Sequence, residues 1–367
     1  MEKIPSVQID IETGWRGGQR QVELLCRGLA ARGHPVALVT RRGSLLGDML
    51  SEAGIEVIRR SLPFAFCPIA ASRLAWFLKG RRPAIVGMHA SHAHTLGVLA
   101  KKIMKDPPKF VVTRRVDFTP GKYALNRWKY VKGPDAYIAI SEAIKGVLVQ
   151  AGVEEERIHL VHSGVEPLEI PQSARESIEA ELGVPSDVRI VVDVASLADH
   201  KGHRFLIDAV PEVIREIPNA LFLIVGDGEL RSRLVQQARD LGLSEGNLRF
   251  LGHREDVAKL LGAADLFVMT SHLEGLCSSI IDAQLAGVPV VATRAGGIPE
   301  LVIDAQTGLL AENRSPEDIA RKIVLALNDG ELRAKLVQGA RQRALSNFTA
   351  EAMVEGTLAA YRKILGT

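Results

Sequence analysis

The chain has 367 residues, 47% of them apolar and 24% charged, with 33 glycines and a mean hydropathy of +0.09. That length favours two domains, and the composition excludes disordered, collagen-like and low-complexity chains. The net charge of +3 hides a division: residues 1–166 carry 25 Lys and Arg against 15 Asp and Glu, a surplus of ten, whereas the remainder carries 21 against 28.

Three scattered cysteines, Cys26, Cys67 and Cys277, are too few for a disulfide framework or a cysteine-rich metal centre, so a reducing cytoplasm is the expected compartment. The start, MEKIPSVQID, lacks the apolar core of a secretory signal, and no run approaches the length of a spanning helix. The first strand is expected at 6–11, followed by the turn TGWRGGQ and a helix of about 13 residues that ends at Gly33. Strand 36–40, helix 45–53, strand 55–58, helix 69–79, strand 84–88, helix 92–104 and strand 110–113 continue the alternation. Strand 136–140, helix 141–151 and strand 158–161 complete it. After Gly164 a connector, VEPLEIPQSA, breaks the pattern, and a second cycle begins with strand 188–194 and helix 203–216. It runs through strand 220–225, helix 228–242, strand 248–251, helix 255–262, strand 265–269, helix 278–286, strand 288–292 and helix 316–328. Short β-branched strands alternating with helices imply right-handed crossovers and parallel sheets covered on both faces, so the expected class is α/β with two doubly wound domains. Ligands of such sheets bind at the carboxyl ends of the strands.

The segment from Ser271 to Val302, SHLEGLCSSIIDAQLAGVPVVATRAGGIPELV, concentrates candidate chemistry. Glu274 falls on a loop after a strand, Ser278 or Ser279 can cap the next helix, and Asp282 falls on that helix's first turns. The amides of Gly275, Leu276 and Cys277 then lie near a helix N-terminus, where unpaired N–H groups and the macrodipole favour an anion such as a diphosphate. A carboxylate on either side suits a sugar nucleotide, Glu274 accepting from sugar hydroxyls and Asp282 from the two vicinal hydroxyls of a ribose. On spacing alone the two acids can equally cap or solvate the helix. Cys277 has no base in sequence that would make it a nucleophile.

In the first half, Gly17 and Gly18 open a helix, where the backbone can approach a ligand with no Cβ in the way, although a plain turn explains them too. The run HASHAH, with His89, His92 and His94, has no accompanying carboxylate or cysteine cluster to complete a metal site. Hydrogen bonding by His89, and a cap or surface place for His92 and His94, is the simpler reading. Arg114 and Arg115 follow a strand; paired guanidinium groups suit a phosphate or carboxylate, and solvation is the alternative. Ser141 and Glu142 fit a helix start. Gly226 and Gly228 shape a turn, but the third glycine of a dinucleotide fingerprint is absent.

Taken together these segments resemble family 4 of the retaining glycosyltransferases, which have the GT-B fold, over nearly the whole chain. The family's Glu-x7-Glu signature, its Gly-x-Pro-Val strand and its Gly-Gly-x-x-Glu turn read here as Glu274 to Asp282, Gly287-Val-Pro289-Val and Gly296-Gly297-Ile-Pro-Glu300, with Thr307-Gly308-Leu following. SLADHKGHRFLIDA resembles the family's Arg-Leu…Lys-Gly segment, with Lys201 at the lysine that neutralises the diphosphate leaving group, and IVGDGELRSRL matches the next segment around Gly226. Two positions depart from the pattern. The second glutamate is Asp282, and the family's arginine position holds Ser196.

The resemblance implies two Rossmann-like domains facing a central cleft. The acceptor-side domain is 1–166, joined by a final helix, 349–367, that crosses back to it, and the nucleotide-sugar domain is 167–348. It implies retaining transfer from a nucleotide-diphosphate sugar, such as a UDP-sugar, to an acceptor hydroxyl. Glu274, Lys201 and His89 then stand near the reaction. Gly17, Gly18, Ser196, Gly226, Gly275, Leu276, Cys277 and Asp282 stand on the donor side, and Arg114, Arg115 and His92 on the acceptor side. No cofactor and no metal are expected, since no Asp-x-Asp occurs and Lys201 with helix amides can neutralise the diphosphate. The expected acceptor is a glycan or lipid-linked molecule of cell-envelope or lipopolysaccharide assembly, and no nucleic-acid partner is expected. SRLAWFLKGRR, from Ser72, sets Trp76 and Phe77 beside Lys79, Arg81 and Arg82, which suggests peripheral contact with an anionic membrane surface. Two other readings compete: a non-hydrolysing nucleotide-sugar epimerase, and a catalytically weakened nucleotide-sugar-binding partner, the latter encouraged by Ser196 and Asp282.

Overall fold

The computed structural model describes residues 2–60, 67–115 and 128–367. The chain divides into two compact units, Met1–Val165 with Ala350–Thr367, and Glu166–Thr349.

In the first unit the elements run β1 (Ser6–Ile9), α1 (Gly17–Ala31), β2 (Val36–Arg41), α2 (Leu45–Glu52), β3 (Glu56–Arg60), α3 (Pro68–Arg81), β4 (Ile85–Met88), α4 (Ser91–Ile103), β5 (Lys109–Arg114), β6 (Ala136–Ala139), α5 (Glu142–Gln150) and β7 (Ile158–Leu160). All seven strands are parallel, in the order β3-β2-β1-β4-β5-β6-β7. Ser141 caps α5, its side chain accepting from the Ile144 amide, as the Ser-Glu pattern suggests.

The second unit runs α6 (Ala174–Leu182), β8 (Arg189–Val194), α7 (His203–Glu216), β9 (Ala220–Val225), α8 (Arg231–Asp240), β10 (Leu248–Gly252), α9 (Val257–Ala263) and β11 (Leu266–Met269). It continues with α10 (Ser278–Leu285), β12 (Val290–Thr293), α11 (Ile298–Leu301), β13 (Leu309–Ala311), α12 (Pro316–Asn328) and α13 (Gly330–Asn347). Its six strands are parallel in the order β10-β9-β8-β11-β12-β13. Strand periodicity builds both faces of this sheet. Phe222 and Ile224 of β9 join the core under α7 and α12, whereas Leu221, Leu223 and Val225 join the core shared with Ile178 of α6 and Leu260 of α9.

The last helix, α14 (Ala350–Leu365), packs in the first unit against α1. Gly28 permits the approach, since a Cβ there would fall 2.4 Å from Val354 Cγ2. Arg32 Nε lies 2.6 Å from Glu355 Oε1 across the same contact.

Each sheet reverses direction at its first strand. β1 lies between β2 and β4, and β8 between β9 and β11. The loops leaving β1 and β4, or β8 and β11, therefore diverge and open a crevice at the strand ends.

Candidate active site

The crevice of the second unit is formed by the loop 195–202 after β8 and the loop 270–277 after β11. Backbone bonds stitch the two together: the amides of His272 and Leu273 donate to the His200 carbonyl at 2.9 and 3.4 Å. Lys201 closes a short helical turn, Asp199–Lys201, that ends at Gly202 with φ +69°. A Cβ at Gly202 would sit 2.0 Å from the Thr270 carbonyl oxygen, so only glycine lets this turn lie on the neighbouring loop.

This packing joins two residues that the sequence holds 73 positions apart: Lys201 Nζ forms an ion pair and hydrogen bond with Glu274 Oε2. Ser271 Oγ also donates to Glu274 Oε2, at 3.2 Å. Burial works against the Lys201 ammonium, but the Glu274 carboxylate overrides it and holds the lysine pKa above its ordinary value. Burial first, and the Glu274 charge second, push the Cys277 thiol up to about 12, which keeps it protonated and agrees with its dismissal as a nucleophile.

α10 begins directly after this pair. The serine cap expected from the sequence is not formed: Cys277, not a serine, occupies the N-cap position. Ser278 and Ser279 are instead the first two helical residues. Gly275, Leu276 and Cys277 lead into a helix end that offers its first N–H groups to an outside acceptor. Asp282 lies on this helix and is only 7% exposed. Ser196, on the 195–202 loop, is exposed. Gly226, at φ +137°, is explained by packing, because a Cβ there would meet the Ala195 carbonyl oxygen at 2.0 Å.

In the first unit, Gly17 opens α1, and a Cβ on Gly18 would meet nothing within 4 Å. His89 follows β4 and is buried, with Nε2 2.8 Å from Gln8 Oε1 and Nδ1 3.1 Å from Arg115 Nη1. Gln8 Oε1 can only accept and Arg115 only donate, so the ring is neutral with its proton on Nε2. Burial and then the Arg115 charge hold its pKa well below the usual histidine range. With both nitrogens engaged, His89 holds Gln8 and Arg115 in place.

Arg115 is half-buried, and its pKa is lowered to about 10 by loss of solvent, against the pull of Asp10. Arg114 ends β5 rather than following it, is 5% exposed and stacks its guanidinium 5.4 Å from the centre of the Tyr130 ring. Arg114 is thus buried rather than solvated. His92 is exposed, 3.5 Å from Glu12 Oε1. His94, expected at a cap or on the surface, is buried with edge contacts to Tyr130 and Tyr137 at 5.0 and 6.2 Å, because α4 turns that residue toward the sheet. Sequence reasoning missed Gln8 and Asp10, which have the alternation of any strand and no motif around them. Among the described residues, no group of three or more His, Cys, Asp or Glu side chains is placed to hold a metal ion.

Residues 15–167 match the model of Glycosyltransferase Family 4, and residues 174–343 that of Glycosyl transferases group 1. The chain belongs to the family 4 glycosyltransferases. This glycosyltransferase is 34% identical, over 179 residues, to the lipopolysaccharide core biosynthesis glycosyltransferase LpsE of Rhizobium meliloti (strain 1021), a match covering 49% of this chain and 51% of that one. It thus spans about half the length of that relative. It is 25% identical to the N-acetyl-alpha-D-glucosaminyl L-malate synthase of Bacillus anthracis, over 88% of this chain and 93% of that one. In fold it is similar to a glycosyltransferase from Rickettsia africae ESF-5, with a TM-score of 0.86, 23% identity and coverage of 100% of this chain and 99% of that one. The Anabaena HepE structure in complex with UDP and glucose gives a TM-score of 0.84 at 22% identity, covering 97% and 98%. The glycosyltransferase thus has the GT-B fold of two Rossmann-like α/β domains, and no described helix is long and apolar enough to cross a membrane.

Proposed function

We propose that this glycosyltransferase moves a sugar, with retention at the anomeric carbon, from a nucleotide-diphosphate donor to a hydroxyl of a cell-envelope acceptor. The observation that carries the reading is the Lys201–Glu274 pair beside the start of α10. A diphosphate entering there exchanges with Glu274 as the partner of Lys201 and accepts from the amides at 275–277. Glu274, so released, accepts from hydroxyls of the sugar, and Asp282 from those of the ribose. As the bond to the anomeric carbon breaks, negative charge grows on the departing diphosphate, where a fixed ammonium and oriented amides are most effective. The leaving phosphate then helps take the proton of the acceptor hydroxyl on the same face of the sugar. In this reading Lys201 supplies the positive charge that other transferases take from a divalent ion, and no cofactor takes part.

UDP bound to the similarly folded Anabaena protein supports a uridine donor, and the Rhizobium relative supports a lipopolysaccharide or other lipid-linked glycan as acceptor. The acceptor site belongs at the β1/β4 crevice of the first unit, where His92 is exposed and the Arg114 and Arg115 charges lie beneath. The chain works at the inner face of the cytoplasmic membrane, to which α3 and α4 offer an exposed Trp76 and Ile103 among lysines and arginines.

The test is a thermal-shift screen of nucleotide sugars on the purified chain, then calorimetry and transfer assays with the donor selected. Asp282→Ala should raise the donor Kd at least about tenfold, since a hydrogen bond to an ionised group is worth roughly 1.5 to 3 kcal/mol. An unchanged Kd would remove Asp282 from the ribose role. Transfer should persist in excess chelator; complete loss, restored by Mg²⁺ or Mn²⁺, would overturn the metal-free assignment.

A further inference from the structure

Two residues beyond Lys201 in the chain, His203 enters a buried pair for which the proposed reaction has no use. Asp193 sits on β8 and His203 opens α7; both side chains are 1% exposed, with His203 Nε2 2.9 Å from Asp193 Oδ1. The two remaining polar atoms, Asp193 Oδ2 and His203 Nδ1, are buried too, and among the described residues neither has a hydrogen-bond partner. A carboxylate so enclosed is costly to keep charged unless a cation or donors face it. Its charge does reach the site, adding to the upward pull on both the Lys201 ammonium and the Cys277 thiol.

Lys201 therefore has two carboxylates within its field, Glu274 at 13% exposure and Asp193 at 1%. If a diphosphate is to displace Glu274, the ammonium must not be captured by Asp193 instead. The His203 N–H occupies one oxygen of Asp193 and fixes the plane of the carboxylate.

We propose that Asp193 and His203 are positioning residues for Lys201: His203 holds Asp193 so that its charge balances the ammonium without drawing it out of the diphosphate site. The inference rests on the reading of Lys201 as the cation that meets the diphosphate. Neither residue touches the donor. Without the imidazole, Asp193 turns to the ammonium, and the phosphate site loses its cation.

Calorimetry with inorganic pyrophosphate tests this on the full chain without knowledge of the base or sugar. His203→Leu should weaken pyrophosphate binding about tenfold or more, the loss of one charge-assisted contact. His203→Gln, which can still donate to Asp193, should stay within about threefold of wild type. The decisive variant is the double substitution Asp193→Asn with His203→Leu: removing the competing charge should restore affinity to within about threefold of wild type. A merely structural role gives the opposite result, with the double variant at least as impaired as the single one. Melting curves establish that each variant is folded; if His203→Leu is not, His203→Asn, too short to reach Asp193, replaces it with the same expectation. Wild-type affinity in a folded His203→Leu or His203→Asn variant, or no recovery in the double variant, would overturn the proposal. Lys201→Ala serves as the separate control: if it binds pyrophosphate as well as wild type, the reading of Lys201 fails, whatever His203 does.

Discussion

His89 and His94 occupy the corner between β4 and α4, and burial keeps both rings neutral. For His94 the pKa is lowered to about 3, by burial first and by the charges of Lys129 and Arg114 as well. The consequence for stability has a definite sign. Below the ordinary histidine pKa of about 6.5 the unfolded chain takes up a proton that the buried ring refuses, so stability falls by about 1.4 kcal/mol per pH unit for each ring. The penalty accumulates until the folded pKa is reached. His94→Phe keeps a flat ring between Tyr130 and Tyr137 but has nothing to titrate. Its urea-unfolding free energy should therefore fall less steeply than that of wild type between pH 6.5 and 5, by about 1.4 kcal/mol per unit. Identical slopes would mean that the native ring accepts the proton.

At the scale of elements, what builds the proposed donor site is the stacking of strand-end loops, backbone on backbone. Gly296 shows how little room this leaves: with φ +48°, a Cβ would lie 1.7 Å from the Glu274 carbonyl oxygen, while the adjacent Gly297 amide donates to that oxygen at 3.1 Å. Gly296→Ala must displace the Glu274 backbone, with a strain of about 1 to 3 kcal/mol. It should lower the melting temperature and weaken donor binding together. Gly18→Ala meets no atom within 4 Å and sits in the first turn of α1. Its melting temperature should equal or exceed that of wild type, so a loss of transfer rate in this variant would report a ligand approaching that backbone. A melting temperature unchanged in Gly296→Ala would contradict the packing argument.

The elements absent from the sequence reading share a cause. α6 buries only Ala174 and Ile178, and α13 only Leu336, Ala340 and Ala344. Stripes so narrow give almost no apolar period. β13 is three residues long, below what alternation can register. The strand expected to reach Ile11 stops at Ile9, where Asp10 turns its carboxylate to the Glu12 amide at 3.0 Å.

Over the whole molecule, charge is the property that separates the two units. Residues 67–115 alone hold ten Lys and Arg and a single acid, Asp106. The neighbouring helices α3 and α4 carry much of this charge, and they leave Ile69, Trp76 and Ile103 exposed at 66%, 77% and 54%. Some of the cations are committed elsewhere, as Arg81 is to Glu56 and Lys101 to Asp135. Arg73, Lys79, Arg82, Lys102 and Lys105 have no ion pair among the described residues. Flotation with liposomes should therefore show binding to anionic vesicles that fades at high salt, each cation near the surface contributing about 1 kcal/mol. Trp76→Ser should weaken it, and neutral vesicles should bind little. Binding indifferent to lipid charge would defeat this assignment.

The sequence by itself determined the alternation of strand and helix, hence two doubly wound sheets, because periods of 2 and 3.6 are written locally. It also supplied the identities of Lys201, Glu274 and the amide loop, since those follow one another in recognisable segments. The chemistry between these groups was decided only by the tertiary structure. Strand order sets β8 beside β11, and that adjacency makes Lys201 and Glu274 partners; the same kind of adjacency gives His89 its contact with Gln8, 81 residues away. Whether Arg114 and His94 are solvated or buried likewise depends on which helix covers which strand. A local pattern carries no record of that, because the free energy of burial is fixed by neighbours distant in sequence.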